Sequence, residues 1–280
     1  MRSRRAIGPD DLILSSRTIA VGSFEERVRA AAETGCAGLG LRWQVYEEAA
    51  APAGELRAIL EEHGVAAAEY EVLGHWALAD ELPDRARDAE DRIWEMADAL
   101  GGRHVIAVVF EEPGPREATA ERLSALADRA AAHGLVVALE FLPWSPVADA
   151  EAAWELVQLA ENTNVGVLVD SWHFYRGAAD EAHVRAIPPE RIVALHLDDA
   201  DAEVVGTLYE DTLHHRRLPG AGALPLVDFI RMLDEIGVTA PYGVEVLSDE
   251  LAELPPGEAA RRAVSASRTV MAAARATSRD

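Results

Sequence analysis

Residues 133–141 read HGLVVALEF, and this stretch contains the unit that the rest of the chain repeats. Gly134 ends a segment of helical period, where glycine is the usual left-handed cap of a helix. The apolar run Leu135–Phe141 has the length and β-branched composition of a buried strand. Glu140 stands near its end, directly after Val-Val-Ala-Leu. The stretch therefore predicts a helix, a short buried strand and an ionisable side chain at the strand's carboxyl end.

The same unit recurs along the whole chain. The apolar runs are Leu12–Leu14, Gly38–Leu41, Ala66–Val72, His104–Phe110, Leu135–Phe141, Val165–Val169, Ile192–Leu197 and Tyr242–Val246. Segments of helical period alternate with them, at Phe24–Thr34, Glu55–His63, Asp84–Leu100, Arg116–His133, Asp149–Asn162, Leu224–Gly237 and Pro256–Ala274. Such a succession of strand–helix units indicates parallel strands joined by helical crossovers.

This alternation predicts an α/β fold: a (β/α)8 TIM barrel that spans residues 1–280 as a single domain, with residues 1–10 as a frayed tail. The length of 280 residues fits, because such barrels typically have about 250. An open doubly wound sheet is the alternative. That fold often carries a glycine-rich phosphate loop after its first strand, and neither GxGxxG nor GxxxxGK(S/T) occurs in the sequence.

The composition narrows the class of protein. Apolar residues make up 49% of the chain, and 49 acidic against 26 basic side chains give a formal charge of −23. This charge disfavours nucleic acid and anionic membranes as partners. The single cysteine, Cys36, excludes an internal disulfide, and the sequence shows neither a signal-peptide pattern nor an apolar run of about 18 residues. We therefore expect a cytoplasmic protein.

Four ionisable residues close the last four predicted strands: Glu140, Asp170, His196 and Glu245. In a barrel these strand ends meet at the face where active-site groups lie. Three carboxylates brought together there would repel one another, and a divalent cation removes that cost. Three oxygen ligands and one nitrogen ligand suit Mn²⁺, Mg²⁺, Co²⁺ or Zn²⁺. Alone, Asp170 could be a helix N-cap and His196 a structural group, so the predicted metal site depends on the set.

Three stretches resemble the sugar phosphate isomerase/epimerase family, the xylose isomerase-like barrels. They are Ala-Leu-Glu140-Phe-Leu-Pro-Trp, Val-Asp170-Ser-Trp-His173-Phe, and Arg216-Arg217-Leu-Pro219-Gly220-x-Gly222 followed by Gly-Val-Glu245. His196 begins His-Leu-Asp-Asp between the second and the third stretch. The resemblance covers nearly the whole chain in order and spacing. It implies an enzyme, and it leaves the substrate open because the family contains isomerases, epimerases, dehydratases and nucleases.

The resemblance also implies roles for the residues at the strand ends. Glu140, Asp170, His196 and Glu245 correspond to the family's metal ligands. In similar ketose epimerases, the glutamates at the Glu140 and Glu245 positions also exchange protons with the substrate. Homologous barrels often pair, so a homodimer is a further expectation.

Two more residues acquire catalytic roles from the resemblance. His173 corresponds to a histidine that contacts the substrate beside the metal, although it could be a buried spacer between Trp172 and Phe174. Arg216 corresponds to an arginine that polarises a substrate oxygen, although it could be a solvated loop residue. A one-residue slip would give this role to Arg217.

These parts predict a divalent-metal-dependent isomerase or epimerase of a sugar, keto-sugar or polyol-like substrate. A carboxylate would remove a C–H proton beside a polarised oxygen, and the metal and Arg216 would stabilise the enediolate. Return of the proton on the other face gives an epimer, and return at the neighbouring carbon gives an isomer. If a β-hydroxyl leaves instead, the enzyme is a dehydratase of the dehydroshikimate or inosose type, which is the main alternative.

Two non-isomerase classes fit the sequence less well. A metal-dependent DNA-repair nuclease would need further metal ligands, typically for three ions, and a basic face, and the charge of −23 argues against it. A non-catalytic barrel subunit or binding protein would be expected to have lost a metal ligand, whereas all four residues are present.

The remaining candidates for the pocket are weaker. They are Arg42, Trp43, Glu71, His75, Trp76, Trp144 and Trp172, near strand ends. A tryptophan face packs well against a sugar ring, but ordinary barrel packing explains each of these residues equally well. The loop from Asp198 to Arg216 is long, and it could act as a lid or bring Glu210, Asp211, His214 or His215 into the site. No cluster of basic residues near the strand ends predicts a phosphate site.

Overall fold

A computed structural model of the chain describes residues 7–78 and 84–276, except for the side chains of residues 85 and 86. Within these residues, parallel strands form a closed barrel in which each strand pairs with the next and β8 pairs with β1. The strands are β1 (Leu12–Leu14), β2 (Gly38–Arg42), β3 (Ala66–Leu73), β4 (His104–Ala107), β5 (Val136–Glu140), β6 (Val165–Asp170), β7 (Ile192–Leu197) and β8 (Tyr242–Val244). The predicted (β/α)8 TIM barrel is confirmed.

Helices connect the strands. They are α1 (Phe24–Glu33), α2 (Trp43–Glu48), α3 (Ala53–His63), α4 (Asp84–Leu100), α5 (Arg116–Ala132), α6 (Ala150–Leu159), α7 (Ser171–Arg176), α8 (Glu181–Arg185), α9 (Leu208–His214), α10 (Leu226–Ile236), α11 (Asp249–Ala252) and α12 (Pro256–Ala276), with a 3-10 turn at Pro189–Arg191. Every predicted helical segment corresponds to one of the longer helices. The short helices α2, α7, α8, α9 and α11 were not predicted, because so few residues show no helical period.

Local signals set the helix ends. Gly64 after α3 and Gly237 after α10 have φ of 67° and 82°, in the left-handed region where glycine has no steric cost. At the start of α1, Ser23 and Glu26 form a capping box. Because these signals are local, the sequence predicts most of the longer helix ends to within a few residues.

The strands alternate between two sides of the barrel wall, as the two-residue strand period requires. One set of residues, which includes Val137 and Leu139, is buried in the large core between strands and helices. The other set forms a separate apolar cluster of Ile106, Val108, Ala138, Leu142, Leu168 and Ala194. Glu140, Asp170 and His196 each lie two residues after a member of this second cluster. They therefore point to the same side, into the barrel.

The ends of the chain bear on two predictions. Residues 1–6 of the predicted frayed tail lie outside the described residues, and Asp10 of that tail accepts a hydrogen bond from Arg275 at 2.9 Å. That one domain spans all of residues 1–280 stays a prediction. Among the described residues, no helix has the length and apolar character needed to cross a membrane.

The register of the last strands places the predicted ligands side by side. Asp170 of β6 pairs with His196 of β7, and His196 pairs with Gly243 of β8, two residues before Glu245. Gly243 makes this arrangement possible, since a Cβ there would lie 2.5 Å from Cδ2 of His196. Such a distance is shorter than any van der Waals contact, so the position requires a residue without a side chain.

We expect Gly243→Ala to lower the free energy of unfolding by about 1–3 kcal/mol, the usual cost of overpacking a core. The measurement is urea denaturation of the metal-free protein. Gly54→Ala is the control, since a Cβ at Gly54 meets nothing within 4 Å. The close packing of His196 against position 243 would be contradicted if the two variants were equally stable.

Candidate functional site

The four predicted metal ligands meet at the carboxyl ends of β5 to β8. Glu140 ends β5, Asp170 ends β6, His196 lies in β7 and Glu245 directly follows β8. One ligand atom from each lies within 4.8 Å of the others, and all four residues are buried. The structure thus brings together the complete set that the sequence singled out.

Two atoms of this set have no hydrogen-bond partner although they are buried: Nδ1 of His196 and Oε1 of Glu140. Nδ1 lies 3.3 Å from Oε2 of Glu245 and 3.8 Å from both Oε1 of Glu140 and Oδ2 of Asp170. A buried polar atom without a partner costs about 1–3 kcal/mol. A cation among the three carboxylates would satisfy both atoms, so these residues fit a divalent metal ion.

His196 is oriented by a carboxylate inside the barrel. Nε2 of His196 and Nε2 of His104 lie 2.8 and 2.9 Å from the same atom, Oε2 of Glu69. Burial raises the pKa of Glu69, but the two histidines outweigh it and lower the pKa to about 2. An ionised Glu69 can only accept, so Nε2 of His196 carries a hydrogen and Nδ1 is the ring atom directed at the cluster. Burial lowers the pKa of His196, but Glu69 and Glu245 outweigh burial and raise it, so a metal ion at Nδ1 would replace a proton there.

Glu69 and His104 were not predicted as functional residues from the sequence. Both lie within predicted apolar runs and not at the carboxyl ends of strands. A signal was present, because Glu69 interrupts the apolar run Ala66-Ala-Ala-Glu-Tyr in the middle of a strand. An ionisable residue in the middle of a buried strand requires a buried partner.

Arg216 enters the site, and Arg217 does not. Nη1 of Arg216 donates to Oδ2 of Asp170 at 3.0 Å and also to Asp198, while Nη2 donates to Oγ1 of Thr212 at 2.8 Å. Burial lowers the pKa of Arg216, but the surrounding carboxylates outweigh burial and raise it. Arg217 is more exposed and pairs with Asp201 and Glu250. The alternatives of a solvated Arg216 and of a one-residue slip are thereby excluded.

His173 lies beside the four-residue cluster and is neutral at neutral pH. Burial lowers its pKa to about 4, and Nη2 of Arg216 donates to its Nε2 at 3.3 Å. Nε2 is 3.6 Å from Oε1 of Glu140, and the opposite ring atom, Nδ1, has no partner. The backbone N–H of His173 donates to Oδ1 of Asp170 at 2.8 Å. Asp170 therefore caps α7 with one oxygen and faces the cluster with the other, so its N-cap role does not exclude the predicted role as a metal ligand.

The carboxyl groups of the cluster differ in charge. Burial, with the repulsion of Glu245 and Asp170, raises the pKa of Glu140 well above its usual value. Burial also acts on Glu245, but the charges of His196 and Arg216 outweigh it and hold the pKa of Glu245 far below its usual range. The metal-free site therefore contains a protonated Glu140 beside an ionised Glu245.

A second protonated carboxyl lies next to the cluster. Oγ of Ser15 is 3.0 Å from Oε1 of Glu71 and 3.2 Å from Oε1 of Glu245. Ser15 has a single hydroxyl hydrogen, so a proton on one of the two carboxyl groups would complete the second hydrogen bond. Burial and the charge of Glu245 raise the pKa of Glu71 to about 8, which identifies Glu71 as the protonated one.

A cavity of about 190 Å³ opens beside these groups. Its polar wall includes Glu71, Glu140, His173, Arg216 and Glu245, and its apolar wall includes Val72, Ile106, Val108, Phe110 and Trp144. Of the weaker candidates, Arg42, Glu71 and Trp144 line the cavity, whereas Trp43, His75 and Trp76 do not. Trp172 lies underneath, with the guanidinium of Arg216 5.6 Å from its ring centroid.

The long loop after β7 folds into α9 beside the cavity. Tyr209, Thr212 and Leu213 of α9 line the cavity, whereas none of Glu210, Asp211, His214 and His215 does. Asp211 is buried and accepts hydrogen bonds from Nε1 of Trp172 at 3.2 Å and Nε of Arg176 at 3.0 Å. Of the two alternatives for this loop, entry of one of the four ionisable residues into the cavity is not what the structure has; Tyr209, Thr212 and Leu213 lie there instead.

A family model described as xylose isomerase-like TIM barrel matches residues 28–270. The chain belongs to this family. It is 30% identical over 177 residues to the inosose isomerase of Bacillus subtilis, covering 60% of this chain and 63% of that protein. It is 29% identical over 175 residues to a 3-dehydroshikimate dehydratase of Pseudomonas aeruginosa, covering 61% of this chain and 27% of that protein. The chain thus covers less than two thirds of either relative.

The fold is shared with solved structures. The crystal structure of the IolI protein with a bound zinc atom superimposes with a TM-score of 0.82, at 22% identity, over 94% of this chain and 98% of that chain. At this identity the likeness shows a common fold. The resemblance drawn from the sequence motifs is confirmed at the level of family and barrel.

The protonated Glu71 makes stability depend on pH. Its pKa is about 8 in the folded protein against a usual 4.5, so over this range the unfolded chain releases a proton that the folded protein keeps. The free energy of unfolding therefore falls as pH rises, by at most about 1.4 kcal/mol per pH unit for this group. An amide in place of this carboxyl group would mimic its protonated form at every pH.

We expect Glu71→Gln to gain stability relative to the unmodified protein between pH 5 and pH 8. The measurement is urea denaturation in EDTA at both pH values. Glu55→Gln, which removes an exposed carboxylate of α3, is the control and should show no such gain. If the unmodified protein instead became more stable relative to Glu71→Gln as the pH rose, Glu71 would be ionised in the folded protein.

Proposed function

We propose that this chain is a divalent-metal-dependent isomerase or epimerase of a sugar, keto-sugar or polyol. The observation that carries the proposal is the pair of buried, unpartnered atoms, Nδ1 of His196 and Oε1 of Glu140, which lie 3.8 Å apart within the four-residue cluster. A site that exists only to stabilise the barrel would have satisfied these atoms within the protein. The similarity to inosose isomerase supports the same function.

In this proposal Glu140, Asp170, His196 and Glu245 hold one divalent cation. Three carboxylate oxygens and one imidazole nitrogen suit Mn²⁺, Mg²⁺, Co²⁺ and Zn²⁺, and the excess of oxygen ligands places Mn²⁺ first. When bound, the cation would supply Lewis-acid polarisation of a substrate oxygen. Glu69 would keep Nδ1 of His196 directed at the cluster.

Glu140 and Glu245 are the proposed proton carriers, since both line the cavity and come from opposite parts of the barrel, β5 and the end of β8. Glu245 would take the proton from a substrate carbon next to a carbonyl group. Glu140 would return a proton to the other face of that carbon, giving an epimer, or the proton would return at the neighbouring carbon, giving an isomer. Two carboxyl groups at the same cavity would provide the base and the acid that this exchange needs.

Arg216 and His173 are proposed to hold the substrate oxygens. Removal of the C–H proton leaves an enediolate, and the permanently charged Arg216 would stabilise the negative oxygen. Because Nε2 of His173 accepts from Arg216, Nδ1 of His173 carries the ring hydrogen. Nε2, which lies 3.6 Å from Oε1 of Glu140, is the ring atom on the side of the cluster and could also accept a hydrogen bond from a substrate hydroxyl.

A dehydratase is the second candidate, favoured by the 29% identity to 3-dehydroshikimate dehydratase over 175 residues. The first step would be the same removal of a C–H proton by Glu245. A hydroxyl on the next carbon would then leave with the proton of Glu140 as water, and a C=C bond would form. The two candidates therefore share every residue and differ in the leaving group.

In this proposal, the choice between isomerase and dehydratase substrates depends on cavity residues outside the shared motifs. The two curated relatives differ in reaction, one an isomerase and the other a dehydratase. Some of the cavity residues outside the stretches that carry the resemblance come from α9 and from the ends of β1 and β2. Tyr209 and Arg42 are examples: both line the cavity, and neither belongs to the stretches that carry the resemblance.

The test is exchange of substrate C–H hydrogen with solvent deuterium, on a panel of inososes, ketohexoses and 3-dehydroshikimate with Mn²⁺-loaded protein. We expect exchange on at least one member, and a rate about 10²–10⁴-fold lower in Glu140→Gln or Glu245→Gln. Glu121→Gln, an exposed residue of α5, is the control and should exchange normally.

Four outcomes decide between the functions. A product of unchanged mass identifies an isomerase or epimerase, and a product lighter by one water identifies a dehydratase. Full metal content without exchange on any member would leave a binding protein, and a protein that binds no divalent metal would refute the proposal.

The orientation of His196 by Glu69 has its own test. We expect Glu69→Gln to weaken Mn²⁺ binding by about 10–100-fold, because a Gln side chain no longer fixes the tautomer of His196. Isothermal titration calorimetry measures the affinity. Glu90→Gln is the control, since Glu90 is also buried but pairs with Arg129 away from the cluster. Equal affinities in the two variants would show that Glu69 has no part in holding the metal.

A further inference from the structure

The arginines of this chain are almost all paired, and two at the cavity are not. The chain contains no lysine, so its 26 basic residues are all arginine, against 49 acidic residues. Among the arginine side chains that the structure describes, only those of Arg17 and Arg42 form neither a hydrogen bond nor an ion pair. In so acidic a protein, two unpaired guanidinium groups require an explanation.

Both arginines are half-buried at the barrel mouth. Arg17 lies in the turn after β1, and Arg42 is the last residue of β2. Both line the cavity that contains Glu245 and Arg216, and both also line an adjoining cavity of about 210 Å³. They come from different strand ends and meet only in the folded barrel, which is why the sequence predicted no basic cluster.

A third arginine of the adjoining cavity shows the contrast. Arg27 donates to the carbonyl oxygens of Gly22 at 3.0 Å, Ser16 at 3.3 Å and Ala20 at 3.2 Å, and also to Ile19. Each nitrogen atom of its guanidinium group therefore donates to a backbone carbonyl oxygen. Arg17 and Arg42 line both cavities, and their side-chain donors have no partner among the described residues.

The two guanidinium groups lie close enough to repel each other. Burial lowers the pKa of Arg42, and the positive charge of Arg17 lowers it further, whereas Glu71 and Glu48 raise it without forming an ion pair with Arg42. Like charges repel in a half-buried site. An anion bound by both arginines would relieve this repulsion.

We propose that Arg17 and Arg42 form a subsite for an anionic group, a carboxylate or a phosphate, on a substrate whose hydroxyl groups reach the metal cluster. The inference rests on the proposed function and narrows its substrate class from neutral sugars to a ring-sized polyol acid or polyol phosphate. Guanidinium groups bind both anions through paired N–H donors. The local pair also answers a physical need, because the charge of −23 repels anions from the rest of the surface.

The experiment compares three probes that share a hydroxylated six-membered ring: myo-inositol, quinate and myo-inositol 1-phosphate. Calorimetry is carried out on the full chain, with and without Mn²⁺. We expect at least one anion to bind at least about tenfold more tightly than myo-inositol, as charge-assisted hydrogen bonds predict, and the advantage to shrink with added salt. Tighter binding of quinate would indicate carboxylate recognition, and tighter binding of myo-inositol 1-phosphate would indicate phosphate recognition.

In Arg17→Gln/Arg42→Gln the advantage should fall to about twofold or less, since the remaining arginine donors are occupied. Arg261→Gln/Arg262→Gln is the matched control: it removes the same charge from α12, where both arginines pair with Glu258. This control should keep the preference. Equal affinity for the three probes, no binding of either anion, or an unchanged preference in Arg17→Gln/Arg42→Gln would overturn the subsite.

Mn²⁺ affinity and deuterium exchange measured on the same preparations separate this inference from the proposed function. A protein that prefers an anionic probe through Arg17 and Arg42 but exchanges no C–H hydrogen would have the subsite without the proposed reaction. A protein that exchanges hydrogen on neutral substrates and shows no anion preference would have the reaction without the subsite.

Discussion

The hydrogen bond between Nε2 of His196 and Oε2 of Glu69, 2.8 Å long, determines how the rest of the site is arranged. It crosses the barrel from β7 to β3 and leaves only Nδ1 of His196 for the three carboxylates. Two glycines leave room for this pair. A Cβ at Gly243 would lie 2.5 Å from His196, and a Cβ at Gly40 would lie 2.9 Å from Glu69. Close packing of the strands therefore fixes the direction in which the site can bind a cation.

Charge balance follows from that arrangement. Burial raises the pKa of Glu140, Asp198 and Glu71, whereas neighbouring cationic groups outweigh burial and lower the pKa of Asp170, Glu69 and Glu245. The site thus contains more carboxyl groups than it can keep ionised without further positive charge. Arg216 supplies one charge, and a divalent cation would supply the rest.

Strand ends were predictable because they depend on local patterns. Glu140 and Asp170 terminate apolar runs, and the two-residue period places them on the inward side whatever the partner strands are. Glu69 was missed because its apolar neighbours mask it, and its partners, His104 and His196, come from other strands. The sequence also could not show whether Arg216 or Arg217 enters the site, because the two arginines are consecutive. The conformation of the loop between β7 and β8 decides which side chain points inward.

The sequence by itself therefore determined the alternation of strands and helices, the barrel, and the four ionisable residues at its carboxyl end, since each follows from short-range periodicity. Tertiary structure alone decided which atom of His196 faces the cluster, which carboxyl groups stay protonated, and that Arg17 and Arg42 share a cavity. These properties arise from distances between groups far apart in the chain. Closure of the barrel sets those distances, and burial there makes each unpaired charge or donor costly enough to matter.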